Sequence, residues 1–105
     1  MNNTLPPSVG TDLKLNVTAE LGNDLHLSDV DFFARFGNLY GKSVTIEKKD
    51  MEKYDDDNYV AVVDTKIIGA GEYWMKLTVK IPDADCKDGF RMEVVTVPTG
   101  EKVKP

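Results

Sequence analysis

The sequence predicts an all-β fold, an antiparallel β-sandwich of about seven strands, on three observations. Apolar residues recur at every second position in segment after segment, which puts one face of an extended chain inward and the other in water. Clusters of Gly, Asn, Asp and Pro separate those segments at short intervals. No stretch carries the three-to-four residue apolar spacing of an amphipathic helix.

Residues 1–11, with Pro6, Pro7 and Gly10, read as an extended N-terminal arm. In DLKLNVTAE, Leu13, Leu15, Val17 and Ala19 share one face against Lys14, Asn16, Thr18 and Glu20. Gly22, Asn23 and Asp24 turn the chain. Alternation then resumes in DVDFFARF, with Val30, Phe32, Ala34 and Phe36 opposite Asp31, Phe33 and Arg35. Phe33 stands out as an aromatic on a polar face. GNLYGKS is a turn, and VTIEK alternates Val44 and Ile46 against Thr45 and Glu47. KKDMEKYDDDN is charged without a clear period and reads as a solvated loop or hairpin end with room for one short helical turn.

YVAVVD is short, apolar and β-branched, the pattern of a strand covered on both faces. TKIIGAG carries the chain round a corner. From Glu72 the longest regular strand points Tyr73, Met75, Leu77, Val79 and Ile81 inward and Trp74, Lys76, Thr78 and Lys80 outward. After PDADCKDG, the strand FRMEVVTVP sets Phe90, Met92 and Val94 against Arg91 and Glu93, has a mixed end at Val95 and Val97, and stops at Pro98. The expected sandwich therefore spans 12–98, and 99–105 is a polar C-terminal tail.

With 105 residues the chain is one domain, and 41% apolar against 30% charged residues is the balance of a packed globule. A net charge of -5 opposes binding to nucleic acid or an anionic membrane. No apolar run approaches the roughly 18 residues of a spanning helix, and no signal peptide is visible, so the expected location is cytoplasmic unless the chain is a virion component. Cys86 is the only cysteine and His26 the only histidine, which leaves no intrachain disulfide and no multi-histidine or cysteine-rich metal site.

GAGEY has the form of a tyrosine corner, in which a tyrosine packs over a glycine-containing bend and its hydroxyl bonds back to the backbone. Gly71 and Tyr73 are its expected members. A wider pattern covers 12–97: an L-S-x-V-x-F segment, the G-x-Y strand, a D-G hairpin at Asp88-Gly89 and an E-x-x-x-x-P ending at Glu93 and Pro98. It resembles small Ig-like modules of phage virions, such as the N-terminal domain of baseplate upper proteins, and related mobile-element proteins of gut bacteria. The resemblance implies a non-enzymatic attachment role in capsid decoration, a baseplate or a fibre base, with other virion or assembly proteins or further copies of the chain as partners.

Two kinds of site invite weighing against plain surface. Asp83, Asp85 and Asp88 approximate a calcium loop, but the third aspartate falls one place late and Glu93 too early for a distal ligand, so a solvated turn is expected and no cofactor. Asp55, Asp56 and Asp57 form a second acidic run, with Lys48, Lys49 and Lys53 near enough in sequence to relieve it. No arrangement of nucleophile, base and carboxylate supports catalysis. Trp74, Phe33 and Tyr40 are the expected partner-binding aromatics, which would anchor a protein or, in an alternative carbohydrate-binding or adhesion module, stack on a sugar.

Overall fold

A computed structural model describes residues 7–105. Among these residues, seven strands form two antiparallel sheets packed face to face. The strands are β1 (Asp12–Thr18), β2 (Asp31–Gly37), β3 (Ser43–Glu47), β4 (Glu52–Asp55), β5 (Asn58–Asp64), β6 (Gly71–Pro82) and β7 (Phe90–Val103), and a single helical turn, α1 (Thr65–Ile68), precedes β6. One sheet runs β1-β5-β4 and the other β3-β2-β6-β7. No helix among the described residues is long and apolar enough to cross a membrane.

The core forms where the alternation points inward. Leu15 and Val17 of β1, Tyr59, Ala61 and Val63 of β5, Phe32, Ala34 and Phe36 of β2, and Tyr73, Met75, Leu77, Val79 and Ile81 of β6 meet in one cluster. Phe32 and Tyr59 join the sheets edge to face, with ring centroids 5.0 Å apart. β5 is covered on one face only, contrary to the two-sided burial expected, because Val62 points into solvent.

The charged stretch 48–58 is more ordered than its sequence implied. A 3-10 turn at Lys48–Asp50 leads into β4, which hairpins into β5 through Asp56 and Asp57. Every residue of β4 is exposed, so no apolar period marks it. Lys48 explains the approach: its ammonium donates to the carbonyls of Leu27 (3.3 Å), Ser28 (3.1 Å) and Val30 (2.7 Å), closing the 3-10 turn Leu27–Asp29 from below.

Both ends of the chain depart from the expected arm and tail. Residues 1–6 of the arm lie outside the described residues. Over the rest, Ser8 bridges Lys104 in parallel, the Val9 amide donates to the Lys104 carbonyl at 2.9 Å, and the Lys104 amide donates to the Pro7 carbonyl at 2.9 Å. The Gly10 amide bonds the buried Thr65 hydroxyl, which in turn donates to the Thr11 carbonyl. Pro98 does not end the ladder. β7 shifts register between the Trp74·Pro98 and Glu72·Lys102 pairs and continues to the buried Val103. The Thr99 hydroxyl bonds the Tyr73 carbonyl that the irregularity leaves free.

Candidate functional site

The corner forms as the sequence predicts. Gly69 and Gly71 hold φ of 92° and 127°, conformations that a side chain would strain. The chain thereby reverses within three residues, and the Tyr73 ring, buried over the bend, donates its hydroxyl to the Gly69 carbonyl. Burial pushes the Tyr73 phenol up from its ordinary value, so it stays a donor at neutral pH.

Asn38 completes this corner from the other side, and nothing in its turn-like sequence context pointed to it. It is 3% exposed. Its Nδ2 donates to the carbonyls of Ile68 and Ala70, each at 3.0 Å, and its Oδ1 accepts from the Tyr40 amide at 3.0 Å. Its own carbonyl accepts from Trp74 Nε1 at 3.0 Å. The Trp74 ring lies so close to Gly37 that a Cβ there would come within 2.6 Å of Cζ2. Half-buried Trp74 is therefore a packing residue whose polar atom is already engaged.

The other two aromatics do not join it in one patch. Phe33 shares the outer face of the four-stranded sheet with Trp74, but the Arg35·Lys76 pair lies between their positions. Tyr40 is 81% exposed in the β2–β3 turn.

The acidic runs are tied to the protein itself. Asp83 accepts from the Asp85 amide at 3.0 Å and from Arg91 Nη1 at 3.2 Å, and these bonds hold its carboxyl below the usual range. Among the described residues no three acidic, histidine or cysteine side chains gather as a metal site, so Asp83, Asp85 and Asp88 do not converge. Asp56 accepts from Ser28 Oγ and pairs with Lys53, and Asp57 meets His26 Nδ1 at 3.0 Å. These contacts pin the 3-10 turn at 27–29 to the β4–β5 hairpin. Of the three nearby lysines only Lys53 answers the cluster; Lys49 pairs with Glu47.

The feature the sequence reading missed is β7. Pairing with β6 places Met75 opposite Val97, Leu77 opposite Val95 and Val79 opposite Glu93. Val95 and Val97 thus lie on the inner face, while Phe90, Met92 and Val94 lie outside with Trp74 and Thr78, a facing that the mixed alternation of this strand left open. β7 is an edge strand that the three-stranded sheet does not cover. Met92 is 56%, Val94 53% and Val95 47% exposed. Between its inner face and Ala19 and Leu21 runs an open groove of about 350 Å³, floored by Leu77 and Val79.

The hydrogen-bond parity fixes which backbone groups of β7 are free. The Asp83 amide bonds the Gly89 carbonyl, so residues 91, 93, 95 and 97 turn their amides and carbonyls to β6. The Asn38 amide bonded to the Lys42 carbonyl gives the same parity, carried across β2 and β6. Phe90, Met92, Val94 and Thr96 consequently present theirs to the open side.

The remaining edges are blunted. β4 carries Glu52, Lys53 and Asp55, β3 has five residues and ends at Glu47, and β1 turns Asp12, Lys14, Asn16 and Thr18 to water. Comparison of the chain with known protein families, curated proteins and solved structures finds no match.

Proposed function

We propose that the chain is a non-enzymatic assembly module that works by protein docking, and that its setting is a virion structure such as a capsid decoration, a baseplate or a fibre base. The observation that carries the docking reading is the free edge of β7. It combines unpaired amides and carbonyls with apolar side chains on both faces, the combination that strand addition uses. The virion setting draws on the sequence resemblance over 12–97. The experiment is photocrosslinking from a benzophenone side chain at position 94, on the free edge, compared with position 62 on the outer face of the other sheet, in the assembly that contains the chain. Protein adducts from 94 and none from 62 are expected. Adducts from 62 alone, or from neither, overturn the docking reading.

A further inference from the structure

We infer that the occupant of the β7 edge is a second copy of the same chain, paired antiparallel through β7 about a two-fold axis at Met92. This inference rests on the docking reading above and names its partner. Pairing of that kind joins the two four-stranded sheets into one continuous sheet of eight strands.

The register follows from parity and charge. Only residues with outward backbone groups can exchange hydrogen bonds, so Phe90, Met92, Val94 and Thr96 must oppose one another across the interface. Two-fold axes at Met92, Glu93, Val94 and Val95 satisfy this around the middle of Phe90–Val97, and the one at Val95 sets Glu93 against Val97 and leaves Arg91 without a charged partner. Centring on Glu93 puts two carboxylates directly opposite each other, the least favourable cross-strand pair. Centring on Val94 sets Glu93 against Val95 and Arg91 against Val97, which covers charge with hydrocarbon.

Centring on Met92 sets Arg91 of each chain against Glu93 of the other, twice, on the inner face. On the outer face it sets Phe90 against Val94, an aromatic and β-branched pair, and Met92 against itself. Within one chain Arg91 Nε already meets Glu93 at 3.0 Å, so the two charges sit on one face at the spacing the two-fold requires. The strand carries one positive and one negative side chain on that face, and in an antiparallel self-pair each finds its opposite. The edge also lacks the lysine or proline that would repel a copy before Pro98 is reached.

The test is solution mass by light scattering from about 1 µM to about 1 mM chain, a span that brackets weak strand-pairing affinities. The wild-type chain is expected to pass from its single mass of 11.7 kDa to twice that value. Val94→Pro removes an outward amide and leaves the β6 ladder intact, so it is expected to stay monomeric with an unchanged far-UV spectrum. Arg91→Glu is expected to weaken dimerisation about ten-fold or more, and Arg91→Glu with Glu93→Arg to restore it when Asp83→Asn removes the carboxylate that Arg91 also meets within the chain, since the pairs across the interface are then re-formed with reversed sign. Removal of residues 1–6 is expected to leave the dimer unchanged.

A single mass throughout, a dimer that survives Val94→Pro, no rescue by the charge swap, or a dimer lost with residues 1–6 overturns the inference. The charge swap decides the matter even if the proline variant fails to fold. Monomers in solution together with crosslinks from position 94 to a different chain overturn self-pairing and leave docking standing. Absence of crosslinks from 94 removes docking itself.

Discussion

Replacing Asn38 removes three hydrogen bonds at a place water reaches poorly, and the expected cost can be worked from the contacts. Asn38→Ala deletes two bonds to the carbonyls of Ile68 and Ala70 and one from the Tyr40 amide, all at 3.0 Å. At about 1 kcal/mol net for each bond, the loss is about 3 kcal/mol. For a domain of this size 1 kcal/mol lowers the melting temperature by roughly 4 °C or more, so a fall of about 12 °C is expected. Urea denaturation followed by Trp74 fluorescence gives the free-energy loss, and a thermal melt followed by far-UV circular dichroism gives the fall in melting temperature. Asn38→Asp sharpens the test. It keeps the acceptor for Tyr40 but turns a carboxylate toward two carbonyl oxygens, which raises its folded pKa above the unfolded value of about 3.9. A raised carboxyl pKa destabilises the fold at neutral pH; the penalty is complete above the folded value, shrinks as pH falls below it and is gone below the unfolded value. Relative to wild type, the Asp variant should therefore regain stability on acidification while the Ala variant does not. A loss below about 1 kcal/mol in Asn38→Ala, or a pH-independent deficit in Asn38→Asp, refutes the view that this amide clamps the corner.

Three further outcomes follow from contacts elsewhere. Gly37→Ala places a Cβ 2.6 Å from Trp74 Cζ2 and 2.8 Å from the Lys42 carbonyl; overpacking should cost about 1–3 kcal/mol and shift the tryptophan emission, and an unmoved spectrum counts against the close approach. Lys48→Met keeps an unbranched apolar side chain but removes the ammonium that lies over the Phe32 and Tyr59 rings and bonds three carbonyls; a loss of about 2 kcal/mol in chemical denaturation is expected, and full stability shows the ammonium to be dispensable. His26 titrates above the usual imidazole range because Asp57 bonds its Nδ1 and attracts the proton. Its stabilising contribution is complete below the unfolded pKa and is lost as pH rises through the folded one, so NMR titration should give a raised value that Asp57→Asn lowers toward the ordinary imidazole range.

The strands with one buried face were legible because alternation encodes a face, and β1, β2, β3, β5 and β6 fall where it placed them. The corner was legible too, since Gly69, Gly71 and Tyr73 each have a local reason to be what they are. β4 was not, because an exposed hairpin arm such as EKYD has no inside to mark. The facing of β7 was left open for the opposite reason: Met92 and Val94 are apolar on one side and Val95 and Val97 on the other, so a period of two cannot choose. The choice is made by the hairpin at 83–89, which fixes the pairing with β6. Asn38 and Lys48 were hidden because an asparagine in a turn and a lysine in a charged run look like solvent-facing punctuation. Their partners come from residues 30 and 32 positions away for Asn38 and from 18 to 21 positions away for Lys48.

The parallel bridge between Ser8 and Lys104 gives the molecule a mechanical character. Tension applied toward the two ends pulls neighbouring, co-directional segments in opposite senses along their length. The two bonds between Pro7–Val9 and Lys104 are then sheared together instead of being peeled one after the other. The Gly10 and Thr11 bonds to Thr65 come under load only after they yield. Resistance to force is set by the rate of crossing that first barrier, so a pulled chain should hold and then give way abruptly, with β7 still paired to β6 until its end is released.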